Sequence, residues 1–161
     1  MPARDKLSYE DFRPGRIGSF GPRPVTGAEL IAFAAEFDPQ PMHLDAQAAR
    51  SSMLGEISGS GWHLCVMMQR MAHDGFLKDA HSLGSPGIDE VRWLAPLRPG
   101  DELTLDAAVI DCRPLRSRAD TGLVTFRFEM FNRAGVRLLE CVAPVMMRRR
   151  APDADAKAET R

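Results

Sequence analysis

The stretch from Gly61 to about Ala72 constrains the fold most, because it is apolar on nearly every side. A helix that is apolar all round is normally buried inside a domain rather than laid on its surface. The apolar residues of the stretch are Trp62, Leu64, Cys65, Val66, Met67, Met68 and Met71. We therefore predict one central helix, around which the rest of the chain packs.

The second half of the chain alternates apolar and polar residues, which is typical of strands with one buried face. The alternating sets are Val91 with Trp93, then Leu103, Leu105, Ala107 and Val109, then Val124, Phe126, Phe128 and Met130. A last strand is predicted at about 136–147, after a hairpin-like connection at 132–135 that favours antiparallel pairing. Helices followed by consecutive strands predict an α+β domain whose antiparallel sheet packs on the central helix.

The first part of the chain carries the remaining helix signals. Residues before Thr26 are rich in glycine and proline, which permits at most a short strand. Thr26 and Glu29 have the form of a capping box, so a helix begins there. It ends near Asp38, because a residue that precedes a proline is pushed out of the α region. Asp45 can cap a short helix from Ala46 to Arg50.

Length and composition predict a single domain. The chain has 161 residues, 44% of them hydrophobic, with a formal net charge of −1. We assign residues 1–147 to the domain and 148–161 to a disordered tail, since the tail has no large apolar residue. The near-neutral charge disfavours nucleic acid as a partner, and the absence of a signal peptide or a long apolar run predicts a cytoplasmic protein without a membrane partner.

The cysteines and most histidines do not suggest a metal or redox site. Cys65, Cys112 and Cys141 are far apart in sequence and form no C-x-x-C pair, so we expect buried reduced thiols. His73 and His81 lack a spacing typical of metal ligands. We expect no metal and no redox cofactor.

An acid and an imidazole, Asp38 and His43, stand out as candidates for chemistry. They lie on a segment stiffened by Pro39 and Pro41, between two predicted helices. A carboxylate and an imidazole together can take a proton from water and deliver one elsewhere. The residues alone leave a structural interpretation open, in which Asp38 braces the loop and His43 makes one satisfied hydrogen bond.

The entry to the central helix, Ser58 to Gly61, is a second candidate. The first amides of a helix point outward at its positive end, and Gly59 and Gly61 would let a ligand approach the backbone. Alternatively, these glycines only permit tight packing. His63 follows directly; we expect a hydrogen-bonded histidine beside the sheet, although its position would also let it reach a pocket.

Three segments of the chain resemble the MaoC-like dehydratases and R-specific enoyl-CoA hydratases. Phe33-Ala34 followed by residues 38–45, Asp-Pro-Gln-Pro-Met-His-Leu-Asp, resembles their hydratase motif. Ser60-Gly61-Trp62-His63 resembles their entry to the central helix, and residues 91–103 resemble their strand-turn-strand signature. The resemblance runs in order from about Thr26 to Leu105. Gln40 stands where many characterised hydratases have Asn, and Phe37 where they often have Gly.

The resemblance implies a single hot-dog domain, an antiparallel sheet wrapped around a long central helix, usually as a homodimer. It implies reversible hydration of 2-enoyl-CoA, or another enoyl thioester, to a 3-hydroxyacyl thioester, with coenzyme A present only as part of the substrate. Asp38 and His43 would be catalytic, with the Gly61 amide holding the thioester oxygen. The residues expected to contact substrate are Gln40, Pro41, Ser60, Trp62 and His63.

Two other functions stay open at this point. A hot-dog protein could bind an acyl thioester, or a partner subunit, without turning it over, and the residues at Phe37 and Gln40 are compatible with this. A thioesterase would hydrolyse acyl-CoA on the same fold, but hot-dog thioesterases lack the motif from Asp38 to His43 in this form.

Overall fold

A computed structural model describes residues 6–150. Short 3₁₀ turns lie at Tyr9–Asp11 and Leu77–Asp79. The helices are α1 (Gly27–Phe37), α2 (Pro41–Leu44), α3 (Ala46–Arg50) and α4 (Gly61–Gly75). The strands are β1 (Gly15–Pro24), β2 (Ser82–Gly84), β3 (Glu90–Trp93), β4 (Glu102–Pro114), β5 (Thr121–Phe131) and β6 (Arg137–Arg148).

The strands form one six-stranded sheet in the order β1-β4-β5-β6-β2, with β3 also paired to β6. Every pairing is antiparallel. β5 and β6 are joined by the predicted hairpin, in which Asn132 and Val136 share a backbone hydrogen bond. The predicted α+β architecture with an antiparallel sheet is confirmed.

The core lies between the concave face of the sheet and α4. Every second residue is buried from Leu103 to Val109 of β4 and from Val124 to Met130 of β5, as the alternating pattern predicts. These side chains form one cluster with the inner face of α4, which contributes Leu64, Met67, Met68, Met71 and Ala72. The sheet therefore wraps around α4, and apolar burial against that helix holds the two layers together.

The expectation that the central helix is buried on all sides is wrong. Trp62 and Val66 on α4 keep 59% and 55% of their surface exposed, and Cys65 is half-buried. One sheet can cover only one face of a helix, so the opposite face of α4 remains open in the single chain. The helix also runs to Gly75, beyond the predicted end.

The amino-terminal region contains more strand than the sequence predicts. β1 is ten residues long and pairs with β4 along the edge of the sheet. Its register shifts between Arg16 and Gly18 and again between Phe20 and Arg23. An edge strand with bulges tolerates glycines and prolines that a central strand would not, which is why the composition concealed it.

The predicted helix boundaries around the candidate residues are confirmed. The Thr26 hydroxyl accepts from the Glu29 amide at 3.2 Å, and the Glu29 carboxylate accepts from the Thr26 amide at 3.0 Å. Asp45 caps α3 by accepting from two amides of its first turn. The intervening loop contains one unpredicted element, the single turn α2, with Pro41 at its first position.

The carboxyl-terminal boundary needs a correction. The predicted disordered tail begins at Arg148, yet Arg148 is the last residue of β6. Arg149 and Arg150 donate hydrogen bonds to Glu10, and Arg150 also to Asp11. Residues 148–150 are therefore ordered, while the rest of the predicted tail, 151–161, lies outside the described residues.

The three cysteines are free thiols, but only Cys141 is fully buried. Burial raises the pKa of Cys141 to about 11. Cys65 and Cys112 are half-buried, so the expectation of buried thiols is wrong for these two. Within residues 6–150, no helix is both long and apolar enough to cross a membrane.

The aromatic cluster around Phe126 gives a test of the core. Phe126 is 0% exposed and contacts the rings of Phe12, Phe76 and Phe128. We expect Phe126→Ala to lower the free energy of unfolding by about 3–5 kcal/mol in urea denaturation, because it leaves a cavity at the centre of the sheet. Val136→Ala, at a position 45% exposed, should change it by less than about 0.5 kcal/mol. Equal effects of the two substitutions would contradict this core.

Candidate active site

The structure brings Asp38 and His43 together. Asp38 is the residue that ends α1, and His43 lies on the single turn α2. The Nε2 atom of His43 is 3.6 Å from Oδ2 of Asp38, which is too long for a direct hydrogen bond. The two side chains face each other without bonding directly, and one oxygen atom of a bound molecule can lie within hydrogen-bond distance of both.

The tautomer of His43 follows from its backbone contact. His43 is buried, and its Nδ1 lies 2.7 Å from the carbonyl oxygen of Ser58. A carbonyl oxygen only accepts hydrogen bonds, so Nδ1 carries the proton. In the neutral ring, Nε2 then presents a lone pair toward Asp38 and is able to accept a proton.

Two donors hold the Asp38 carboxylate in place. Oδ2 accepts from the Ser60 hydroxyl at 2.6 Å, and Oδ1 accepts from the Gln40 side-chain amide at 2.8 Å. The hydrogen bonds from Ser60 and then from Gln40 lower the pKa of Asp38, burial opposes them, and the neighbouring His43 adds a smaller lowering effect. Asp38 is therefore an ionised carboxylate at neutral pH.

Gln40 and Ser60 were both expected to contact substrate, and each directs a side-chain donor at Asp38. Gln40 also lines the apolar cavity beside Asp38 and His43, whereas Ser60 does not. Ser60 is 0% exposed and also accepts from the Trp62 amide at 3.2 Å, as the residue that caps α4. Side-chain direction depends on packing, which explains why the motif did not reveal these contacts.

An apolar cavity of about 540 Å³ adjoins the pair. Asp38, Gln40 and His43 lie at its polar side, and Gly61 and Trp62 lie where α4 begins. The rest of its wall contains the apolar side chains Met53, Leu54, Leu64, Trp93, Leu94, Ala95, Pro96 and Leu97. In the sequence, Trp93 belongs to an alternating set, and Trp93 and Leu94 both belong to the strand-turn-strand signature, whereas no sequence pattern indicates Met53.

One arginine supports the loop that carries part of this wall. The Arg98 guanidinium donates to the carbonyl oxygens of Leu54, Glu56 and Ile57 at 2.6–3.1 Å. These three bonds fix the loop between α3 and α4 to the segment after β3.

A separate groove of about 670 Å³ lies between β1 and the end of α4, away from the acid and imidazole.

Both interpretations of the glycines find support at the start of α4. A Cβ atom on Gly59 would lie 2.8 Å from Leu30, and one on Gly61 would lie 2.6 Å from the ring of Trp93, so both positions require glycine for packing. The Trp93 indole also donates to the Gly61 carbonyl at 2.9 Å. The Gly61 amide has no acceptor within the helix, because it belongs to the first turn. It therefore remains a donor at the edge of the cavity.

The other residues expected to contact substrate are Trp62, Pro41 and His63, and the structure places only Trp62 at the cavity. Trp62 lines the cavity and stacks edge-on against Trp93, with ring centroids 5.2 Å apart. Pro41 starts α2 and shapes that turn, but it does not line the cavity. His63 does not line it either, because its ring stacks on Phe33 of α1 at a centroid distance of 4.2 Å.

One ring nitrogen of His63, Nδ1, lacks the hydrogen bond expected for a buried histidine. His63 is 7% exposed, and its Nδ1 has no hydrogen-bond partner among residues 6–150. Burial lowers the pKa of His63 and Arg23 lowers it further, while Glu29 acts in the opposite direction. His63 is thus a neutral ring packed between two helices.

Residues 6–150 contain no cluster of three or more side chains suited to a metal ion.

An antiparallel sheet wrapped around one long helix defines a hot-dog domain. The chain belongs to the family described as "MaoC like domain", whose model matches residues 13–127. The expected family and fold class are both confirmed.

Three similar proteins illustrate the family. A solved MaoC-like dehydratase from Rhodospirillum rubrum is 35% identical, with a TM-score of 0.80 over 91% of this chain and 99% of that one. Mesaconyl-CoA hydratase of Cereibacter sphaeroides is 31% identical over 94% of this chain, which spans 44% of that protein's length. The uncharacterised protein YdeM of Bacillus subtilis is 26% identical over 89% of this chain and all of its own length.

His63 gives a pH-dependent test of the packing between α1 and α4. Its pKa is lowered on folding, so its stabilising contribution is present above about pH 6.5 and decreases as the pH falls from there toward the folded-state pKa. His63→Phe keeps an aromatic ring against Phe33 and removes the titrating group. In urea denaturation, we expect the stability of this variant relative to wild type to rise as the pH is lowered from about 7.5 to about 5. A constant difference over that range would contradict a neutral, buried His63.

Proposed function

We propose that this protein catalyses the reversible addition of water to a 2-enoyl-CoA, or another enoyl thioester, to give the 3-hydroxyacyl thioester. The observation that carries the proposal is the 3.6 Å gap between His43 Nε2 and Asp38 Oδ2 at the polar side of an apolar cavity. Membership of a family that includes a dehydratase and a CoA-ester hydratase supports the same reaction type.

A water molecule beside the pair can bind both side chains at once, because atoms 3.6 Å apart allow one oxygen to lie within hydrogen-bond distance of each. The Asp38 carboxylate accepts a hydrogen bond from the water, and the lone pair on His43 Nε2 receives its other proton as the water oxygen bonds to Cβ of the substrate. The imidazolium formed in this step lies between the Asp38 charge and the Ser58 carbonyl, both of which stabilise it.

The addition leaves negative charge on the thioester oxygen as an enolate. The free Gly61 amide, at the positive end of α4, donates to that oxygen. The proton held on His43 then goes to Cα of the enolate, so water has been added across the double bond and both side chains regain their starting states. Dehydration uses the same groups in the reverse order.

The cavity wall supports an acyl thioester as the ligand. Its side chains are apolar apart from the groups beside the reacting atoms, which suits the hydrocarbon part of an acyl chain. Coenzyme A would arrive as part of the substrate, and we propose no other cofactor. We place the reaction in the cytoplasm, where acyl-CoA is made and used.

We also propose that the active form is a homodimer. Trp62 and Val66 on the outer face of α4 are exposed in the single chain, together with Trp93 and Leu94. Trp62, Trp93 and Leu94 line the cavity, and Val66 lies one turn along α4 from Trp62. We propose that these exposed apolar side chains form a patch that a second copy covers. The cavity would then lie close to the subunit interface.

Substitution of the two candidate catalytic residues tests the reaction. We expect Asp38→Asn and His43→Gln each to lower kcat/KM for a short 2-enoyl-CoA by at least about 100-fold, because each removes one participant in proton transfer. His73→Gln, at an exposed position of α4, serves as the matched control and should retain wild-type activity. Circular dichroism would establish that the variants are folded. Wild-type rates in both active-site variants would refute the assignment.

The same assay distinguishes the alternatives. Loss of the conjugated absorbance without release of free coenzyme A is the result we expect of the wild-type protein. Free thiol would indicate a thioesterase. Binding of the enoyl-CoA with neither change would indicate a non-catalytic acyl-thioester-binding protein.

The dimer is tested by a charge on the outer face of α4. Val66→Glu should shift the protein from dimer to monomer in sedimentation equilibrium, because a carboxylate in an apolar interface has no partner. Val136→Glu places the same charge at an exposed valine of the hairpin after β5, and it should remain dimeric. A monomeric wild-type protein at micromolar concentration would contradict the proposal.

A further inference from the structure

Met53 is the most exposed large apolar side chain among residues 6–150. It keeps 99% of its surface accessible, whereas Phe37, the next in order, keeps 64%. Met53 nevertheless lines the cavity beside Asp38 and His43, on the loop between α3 and α4. An exposed apolar side chain on the wall of an apolar cavity is stabilised when a ligand removes it from water.

The turn that carries Met53 is held on both sides, so its position is set before a ligand binds. On the side of α3, the Ser52 hydroxyl donates to the Ala49 carbonyl at 2.7 Å and accepts from the Leu54 amide at 3.1 Å. On the side of the sheet, Arg98 donates to the Leu54 carbonyl at 2.7 Å. A contact residue on a fixed turn loses little conformational entropy when the ligand arrives.

The surroundings of Met53 favour a chain-like ligand over a protein partner. The nearby residues of the loop, Ser51, Ser52, Gly55 and Glu56, bring no large apolar side chain to the same surface. A stable subunit interface buries about 800 Å² on each partner, far more than one methionine supplies. The flexible, unbranched thioether side chain instead suits contact with a hydrocarbon chain of variable conformation.

We propose that Met53 is a specificity-determining residue that packs on the acyl chain of the substrate, so that the protein prefers medium-chain enoyl thioesters to crotonyl-CoA. The identity of the ligand rests on the proposed function. In that reaction the reacting carbons lie beside Asp38 and His43, and a longer chain continues along the apolar wall that includes Met53, Leu54 and Leu97. The acyl group of crotonyl-CoA ends one carbon beyond Cβ and is too short to use this contact.

The first experiment measures the binding of saturated acyl-CoA, which cannot be hydrated, by isothermal titration calorimetry. We expect wild type to bind octanoyl-CoA more tightly than butanoyl-CoA. Met53→Ala should weaken octanoyl-CoA binding about tenfold, and butanoyl-CoA binding less than about twofold, because only the longer chain loses apolar contact. Met53→Leu keeps the apolar bulk and should retain most of the affinity. Val136→Ala removes an exposed apolar group outside the cavity and should leave both affinities unchanged.

The second experiment compares the hydration of crotonyl-CoA with that of 2-octenoyl-CoA. For Met53→Ala we expect KM for 2-octenoyl-CoA to rise about tenfold at nearly unchanged kcat, since a contact far from the reacting atoms is the same in the ground state and the transition state. Both constants for crotonyl-CoA should stay within about twofold of wild type. A general loss of structure would affect the two substrates alike.

The outcomes separate this inference from the proposed function. Equal losses for the two chain lengths, or no loss for either, overturn the inference, and equal losses would place Met53 on the coenzyme A portion that both ligands share. A Met53→Ala protein that is monomeric in sedimentation equilibrium where wild type is dimeric also overturns it, because a second copy then covers this side chain. A chain-length-dependent loss of binding in a protein that hydrates neither enoyl thioester supports the inference and rejects the proposed function.

Discussion

The start of α4 is the constraint on which the rest of the structure depends. The Gly59 amide donates to the carbonyl of Leu97, on the connection between β3 and β4, and the Ser58 carbonyl accepts from the ring of His43. Ser60, which follows Gly59, donates to Asp38 through its hydroxyl. The start of α4, the connection between β3 and β4, and the loop that carries Asp38 and His43 are thus tied together within three consecutive residues. A shift of α4 would therefore move both members of the acid and imidazole pair.

The sequence predicts the architecture well where a local rule and the tertiary environment agree. The alternation in β4 and β5 matches a sheet with one buried face, and the Thr26 capping box marks the start of α1 without needing the rest of the fold. β1 escaped prediction because its bulged edge pairing accommodates the glycines and prolines that usually interrupt strands. The outer face of α4 was misjudged because apolar composition alone does not show which side of a helix the rest of the chain covers.

The candidate site is predictable only in part, for a similar reason. Prolines on either side of Gln40 restrict the backbone, so the sequence indicates that Asp38 and His43 lie on one short segment. Whether Ser60 and Gln40 point at substrate or at Asp38 depends on side-chain packing, and here both serve the carboxylate. His63 shows the same limit, since its place in the motif suggests a ligand contact while its ring packs against α1.

A crystal structure of the protein with a bound 3-hydroxyacyl-CoA would test the central claim most directly, because it places the reacting atoms relative to all three groups at once. We expect the 3-hydroxyl oxygen between Asp38 Oδ2 and His43 Nε2, and the thioester oxygen within hydrogen-bond distance of the Gly61 amide. A ligand seated in the groove beside β1, or one whose hydroxyl lies away from the Asp38 and His43 pair, would contradict the account.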